Sequence, residues 1–123
     1  MRFLPKRNKK LNQAKFTEQW AGLQKLCSSR KNWPTAIFEA DKLVDEALKK
    51  RRFKGKTTGE RLVSAQHHLT SNDKIWFGHK LRNKLEQENI DVRTLKKQDM
   101  MDALGGFRQA LRDLGALEAK NDK

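Results

Sequence analysis

Five residues within one short stretch of the chain have side chains that can act on a phosphate or a sugar. They are Trp76, His79, Arg82, Asn83 and Gln87. Histidine can move protons near neutral pH, and an arginine guanidinium can offset negative charge with a planar set of donors. Asparagine and glutamine can hydrogen-bond phosphate or ribose oxygens, and a tryptophan on a polar surface offers a face for stacking. This stretch is therefore the first candidate for a binding or catalytic site.

The stretch is predicted to lie on one amphipathic helix that runs to about residue 88. Its N-cap is one of three polar residues, Thr70, Ser71 or Asn72. Because a helix turns by about 100° per residue, Phe77, Leu81 and Leu85 share one stripe, and we expect that stripe to face the core. The side expected to be open to solvent carries Trp76, His79, Lys80, Asn83 and Gln87, with Arg82 and Glu86 on its flanks.

Helical spacing recurs along the chain, whereas alternating strand patterns are missing. The other predicted helices cover residues 11–29, 34–52, 59–69 and 96–114. Short connections favour an antiparallel bundle of about five helices, an all-α fold. Gly105 and Gly106 each weaken the last helix by about 1 kcal/mol relative to alanine, which indicates close packing there. We expect a flexible basic arm at residues 1–10, the bundle at residues 11–115, and a disordered tail at residues 116–123.

Positive charge is concentrated in two runs that contain no acid. Eleven of the thirteen formal net charges come from these runs, so the rest of the chain is nearly neutral. The cations are Arg2, Lys6, Arg7, Lys9 and Lys10 in the arm, and Lys49, Lys50, Arg51, Arg52, Lys54 and Lys56 in the second run. Cations in the last turn of a helix also stabilise its dipole, but Lys54 and Lys56 lie beyond the predicted helix end. The pattern is typical of a surface that binds a polyanion.

Several classes of protein and site are not expected. Cys27 is the one cysteine, which excludes an intramolecular disulfide and favours a reducing compartment. We find neither a secretory signal nor an apolar run of membrane-spanning length, so a cytoplasmic protein is expected. His67 and His68 are adjacent and point about 100° apart, so we expect no metal site, and no other cofactor is indicated.

Arg82-Asn83, on a late helix of a small bundle, resembles the signature of the HEPN superfamily, which is an arginine, a polar residue, variable positions and then a histidine. The chain also resembles small bacterial proteins of this kind over about residues 33–114. The residues that carry the resemblance are residues 36–41 with Leu43, Asp45, Glu46 and Leu48, then residues 59–62, and then Trp76 with His79-Lys80-Leu81-Arg82-Asn83.

The resemblance implies a homodimer in which two signature helices face each other and form one cleft. In active members this cleft cuts RNA without a metal, through attack by the ribose 2′-hydroxyl. Here Gln87 stands where the family has its histidine, and glutamine cannot act as a general acid or base. The resemblance also offers Glu39 and Asp41 as candidates for a buried acid facing Arg82, although acids on such a helix more often form its solvated face. It further implies a role for His79 in orienting Arg82 or binding the ligand.

We therefore expect a catalytically degenerate, HEPN-like RNA-binding domain, in a ribonucleoprotein or associated with the ribosome. Its RNA contacts would come from the two basic runs and from five residues of one helix, Trp76, His79, Arg82, Asn83 and Gln87. One alternative is an RNA endonuclease of a toxin or defence system that uses Arg82 and His79 as catalytic residues. Another is a dimeric adaptor that meets a protein partner through the helix of residues 76–87. Charge alone does not exclude DNA, an acidic protein or an anionic lipid surface.

Overall fold

Five α-helices form the part of the chain that the computed structural model describes, residues 11–119. They are α1 (Gln13–Leu26), α2 (Trp33–Lys50), α3 (Thr58–Ser64), α4 (Asn72–Gln87) and α5 (Lys97–Asp113), with short 3₁₀ turns at Arg30–Asn32, Gln66–His68 and Val92–Thr94. No strand occurs within the described residues, and the all-α prediction is confirmed. None of these helices has the length and apolar character needed to cross a membrane.

Side-chain caps mark the start of two of the helices, α1 and α3. The Asn12 side chain accepts a hydrogen bond from the Lys15 amide at the start of α1, and Thr57 Oγ1 accepts one from the Glu60 amide at the start of α3. Such caps satisfy amide groups that have no partner within the helix. The α-helical part of α3 is shorter than predicted, because the chain changes to the 3₁₀ turn after Ser64.

Two helices end in the same hydrogen-bonded motif. After α5, Gly115 has a φ of +82° and the Ala116 amide bonds to the Leu111 carbonyl at 2.8 Å. After α2, Arg52 takes the corresponding position with a φ of +66°. This is the Schellman arrangement, which usually has glycine at the left-handed position. The predicted tail differs from the structure, because the turn at Gly115 folds Ala116 and Leu117 back into the core, where both are buried.

The second helix, α2, is the centre of the bundle and packs against the four other helices. It contributes nine buried residues, among them Ile37, Val44 and Leu48. The closest helix pair is α4 and α5, which run antiparallel and meet at two glycines. A Cβ atom on Gly78 would stand 2.9 Å from the Phe107 ring, and one on Gly106 would collide with the Lys74 carbonyl. Both positions therefore require glycine, which has no Cβ atom.

This close approach sets the rotation of α4, and the prediction of its core face holds only in part, because Leu81 and Leu85 pack against the core but Phe77 does not. The buried residues of α4 are Ile75, Gly78 and His79, whereas Phe77 is 40% exposed. The stripe predicted to face the core, which begins at Phe77, is turned by about 100° from the face that is buried. The glycine face can come nearer to α5 than a face lined by large side chains, so close packing there outweighs the burial of Phe77.

Candidate functional site

Asp41 of α2 and His79 of α4 form a buried polar pair between the two helices. Among the described residues they are the two buried ones with titratable side chains, and Oδ1 of Asp41 lies 2.8 Å from Nδ1 of His79. A carboxylate can only accept, so this contact fixes the tautomer of His79 with a proton on Nδ1. The pair therefore orients the imidazole ring and leaves Nε2 to face its other neighbours.

The predicted exposure of His79 is wrong, because its ring is enclosed by side chains and backbone. The Trp76 ring packs edge-on against it, with 5.7 Å between the ring centroids. On another side, Nε2 would stand 3.8 Å from a Cβ placed on Gly59, so the start of α3 covers the ring. Only 8% of the His79 surface is exposed. Trp76 was predicted to be open for stacking, but it is half-buried and part of its ring lies against His79.

Arg82 lies next to the pair and is surrounded by protein groups. Its Nε is 3.8 Å from the second carboxylate oxygen of Asp41, and its Nη1 donates to the side chains of Asn83 and Glu86. The guanidinium also stands 5.5 Å from the centroid of the Phe38 ring. Of the two acids proposed to face Arg82, Asp41 does so, whereas Glu39 is exposed. An anionic ligand would have to compete with Glu86 for Arg82.

Asn83 and Gln87 differ in their surroundings. The Asn83 amide nitrogen is 3.5 Å from Nε2 of His79, a long and weak hydrogen bond. Gln87 is exposed at the last position of α4, and its side chain forms no hydrogen bond with another described residue. The structure therefore brings His79, Arg82 and Asn83 together with Asp41, and leaves Gln87 at the helix end.

An open cleft of about 590 Å³ runs beside Arg82 between α2, the start of α3 and α4. Its charged lining consists of three carboxylates and two cations. The lining residues are Phe38, Asp41, Lys42, Asp45, Thr58, Arg82, Leu85 and Glu86. Lys42 is exposed and forms no ion pair with any described residue. The cleft can offer donors to a ligand from Lys42 and Arg82, but it is not strongly cationic.

Asp45 joins α2 to α3 through an ion pair that no sequence pattern indicated. Its carboxylate receives two hydrogen bonds from Arg61, at 2.7 and 3.2 Å, and Lys49 lies 3.3 Å away. Partial burial alone would raise the pKa of Asp45, but hydrogen bonds from Arg61, Thr58 and Lys49 outweigh it and lower that pKa below its usual value. Partners sixteen residues apart, on two different helices, leave no local spacing signal.

The second basic run divides into cations that hold the fold and cations that face solvent. Lys49 is paired with Asp45, and Arg51 donates to the Leu114 carbonyl at 2.5 Å, which ties the end of α2 to the end of α5. The other four are exposed and form no ion pair with any described residue; they are Lys50, Arg52, Lys54 and Lys56. The arm cations predicted at Arg2, Lys6, Arg7, Lys9 and Lys10 lie outside the described residues.

Residues 11–119 contain no group of three or more His, Cys, Asp or Glu side chains that could hold a metal ion. The chain matches no protein-family model, no curated protein and no solved structure. The function is therefore inferred from the geometry and the charge of the molecule.

Proposed function

We propose that this chain is an RNA-binding module with a HEPN-like helical bundle that holds RNA without cutting it. The observation that carries the proposal is the set of four exposed cations with no carboxylate partner among the described residues, Lys50, Arg52, Lys54 and Lys56. A solvent-exposed cation without an acid to neutralise it is free to replace the counterions of a phosphate backbone. The five cations of residues 1–10 add to the same electrostatic attraction.

The surroundings of His79 support binding over catalysis. A general base must reach the proton that it abstracts, yet His79 is buried and covered by Trp76 and the start of α3. Gln87 stands at the position of the family histidine, and its amide cannot act as a general acid or base. In this proposal His79 and Asp41 hold Arg82 and Asn83 in place, and these two residues contact RNA at the cleft after Glu86 releases Arg82.

Titration of a labelled RNA at two salt concentrations tests the binding. If the four cations neutralise four phosphates of a single strand, the logarithm of the affinity falls with the logarithm of the salt concentration with a slope of about −3. The affinity is then about 50-fold lower at about 200 mM salt than at about 50 mM. A flat binding curve over that range, or no retention at the lower concentration, would contradict the proposal.

A second candidate function, RNA cleavage, is favoured by the Asp41–His79 pair, since a carboxylate that orients an imidazole is a common arrangement in acid–base catalysis. It predicts that the purified protein cuts RNA and that both Arg82→Gln and His79→Gln abolish the cutting. Persistence of equal cutting in both variants would trace the activity to a contaminant.

We further propose that the protein is a cytoplasmic homodimer that pairs through α4. Phe77 is exposed, and Asp73 and Lys84, near opposite ends of α4, are exposed within about 40° of it around the helix. An antiparallel second copy would bring Asp73 opposite Lys84 while covering Phe77, which is the self-complementary pattern of a two-fold interface. The face offered to a partner is thus centred on Phe77 and not on His79. The same face would serve a protein partner in the adaptor alternative.

A further inference from the structure

A groove of about 540 Å³ lies at the end of the bundle where α1 begins and α2 ends. Four cations line it, and no carboxylate does; they are Lys15, Lys49, Lys50 and Arg52. Lys15 belongs to α1 and is separated by more than thirty residues from the basic run of α2. The fold therefore assembles a cationic site that neither segment contains alone.

The four cations are not equally free to bind a ligand. Lys15 lies 3.7 Å from Glu46, and Lys49 lies 3.3 Å from Asp45, so each shares its charge with a carboxylate just outside the groove. Lys50 and Arg52 have no such partner among the described residues. We expect these two to contribute most to binding, with Lys15 and Lys49 in a lesser role.

Arg52 occupies the groove in a backbone conformation that an arginine rarely adopts. Its φ of +66° lies in the left-handed region, where glycine is the usual residue at this position after a helix. Glycine would satisfy the turn but would remove a cation from the groove. A strained residue at a binding surface is often retained for its side chain.

The position of the groove also places it at the start of the basic arm. Leu11 lines the groove, and Lys10 directly precedes Leu11 in the chain. The five cations of residues 1–10 are thus attached to its edge, within about 35 Å even for a fully extended segment. A polyanion bound in the groove would lie within reach of all of them.

The groove can hold phosphates but has little with which to read bases. Phe16 is its aromatic lining residue, and it is 1% exposed, so it offers no face for a base to stack on. Lysine acts on phosphate as a point charge and carries no sequence information. We infer that this groove binds the phosphate backbone of RNA independently of sequence, an inference that rests on the proposed function and assigns Lys15, Lys50 and Arg52 to it.

Matched charge variants test the inference. In one variant Lys50→Gln and Arg52→Gln remove two groove cations, and in the other Lys96→Gln and Lys97→Gln remove two adjacent exposed cations that neither line the groove nor belong to the basic runs. Affinity for a labelled uridine oligonucleotide of about 16 nucleotides would be measured by fluorescence anisotropy. We expect the groove variant to bind RNA at least about ten-fold more weakly than the unchanged protein, with a salt slope smaller in magnitude by about 1.4. The control variant should lose less affinity.

A second matched comparison uses α1 alone. Lys15 and Lys25 are both exposed lysines of this helix, but only Lys15 lines the groove. Lys15→Gln is expected to weaken RNA binding more than Lys25→Gln does. Thermal unfolding of every variant, followed by circular dichroism, checks the fold, and Arg52→Gly serves as a groove variant that should melt no lower than the unchanged protein.

The outcomes separate this inference from the proposed function. Equal losses in the groove and control pairs, while the unchanged protein still binds RNA, would overturn the groove and leave RNA binding standing. No RNA binding by the unchanged protein would overturn both. A strong preference for adenosine or uridine oligonucleotides would contradict backbone recognition. Stronger binding to phosphatidylserine vesicles than to RNA, lost in the groove pair, would assign the groove to a membrane surface instead.

Discussion

At the scale of single residues, the site between α2 and α4 depends on the Asp41 carboxylate. Its Oδ1 lies 2.8 Å from Nδ1 of His79, and its Oδ2 lies 3.8 Å from Nε of Arg82. Both neighbours approach it as donors, so a buried acceptor with two oxygens suits this position. Loss of that acceptor would leave buried donors unsatisfied, which is more damaging than the loss of an exposed hydrogen bond.

We expect Asp41→Asn to lower the free energy of unfolding by about 2 kcal/mol, because the amide nitrogen would face a donor. Glu39→Gln makes the same kind of change at an exposed position of α2 and is expected to stay within about 0.5 kcal/mol of the unchanged protein. Urea unfolding monitored by circular dichroism gives both values. Equal effects of the two variants would show that the buried pair does not stabilise the fold.

The lowered pKa of Asp45 gives a prediction with a defined sign. A carboxyl whose pKa is lower in the folded state stabilises the fold above its unfolded pKa, about 3.9, and loses that contribution as the pH falls through the folded value. Asp45→Asn should therefore be less stable than the unchanged protein at neutral pH, and the difference should shrink below about pH 4. Thermal unfolding from pH 7 to pH 2 measures it, and a difference that grows in acid would contradict the assignment.

At the scale of helices, the sequence predicted the positions of the elements better than their rotation. The spacing of apolar residues located all five helices, because residues three and four positions apart lie on the same side of a helix and are buried together. The Phe77 stripe misled the prediction for α4 in part, since the buried face was decided by the contact of Gly78 and Gly106 with the neighbouring helix. The resemblance offered Asp41 as one of two candidates for a buried acid, while the helix pattern favoured a solvated face for both. The Asp45–Arg61 pair and the place of Lys15 in the groove arise from contacts between distant segments.

The two adjacent glycines of α5 provide a matched test of that packing. A methyl group on Gly106 would overlap the backbone of α4, while one on Gly105 meets nothing within 4 Å. Gly106→Ala should therefore destabilise the protein by about 2 kcal/mol through overpacking. Gly105→Ala should instead stabilise it by up to about 1 kcal/mol, from helix propensity. Chemical denaturation compares them, and similar effects would contradict the close approach of α4 and α5.

The end of α2 gives a prediction that separates stability from binding. Arg52→Gly relieves a left-handed arginine, which is unfavourable by about 1–2 kcal/mol, while the added freedom of glycine in the unfolded chain offsets part of the gain. We expect a net stabilisation of about 0.5–1 kcal/mol together with weaker RNA binding. Loss of both stability and binding would indicate that the arginine serves the fold.

At the scale of the whole molecule, charge and apolar surface lie on different faces. The cationic groove is at the end of the bundle where α1 begins, and the exposed Phe77 and Met101 line a second groove between α4 and α5. That second groove is also lined by Lys74 and by two carboxylates, Asp73 and Asp102. The cationic groove is the surface proposed for RNA, and the groove that contains Phe77 is the surface proposed for a second protein chain.

Phe77→Glu is expected to convert the proposed dimer into a monomer, because the new charge would be buried in the interface. Val63→Glu is the control, since Val63 is also an exposed apolar residue, with 52% of its surface exposed, but lies on α3. Sedimentation velocity at several concentrations distinguishes the two states. A monomeric unchanged protein, or dissociation of the dimer by both substitutions, would contradict pairing through this face of α4.

The most direct test of the central claim is to incubate the purified protein with a mixed RNA pool at low and moderate salt and to score retention and cutting together. The unchanged protein and Gln87→His would be compared in parallel. We expect salt-sensitive retention of uncut RNA by the unchanged protein, with any cutting confined to Gln87→His. Cutting by the unchanged protein that Arg82→Gln abolishes, or no retention at either salt concentration, would contradict it.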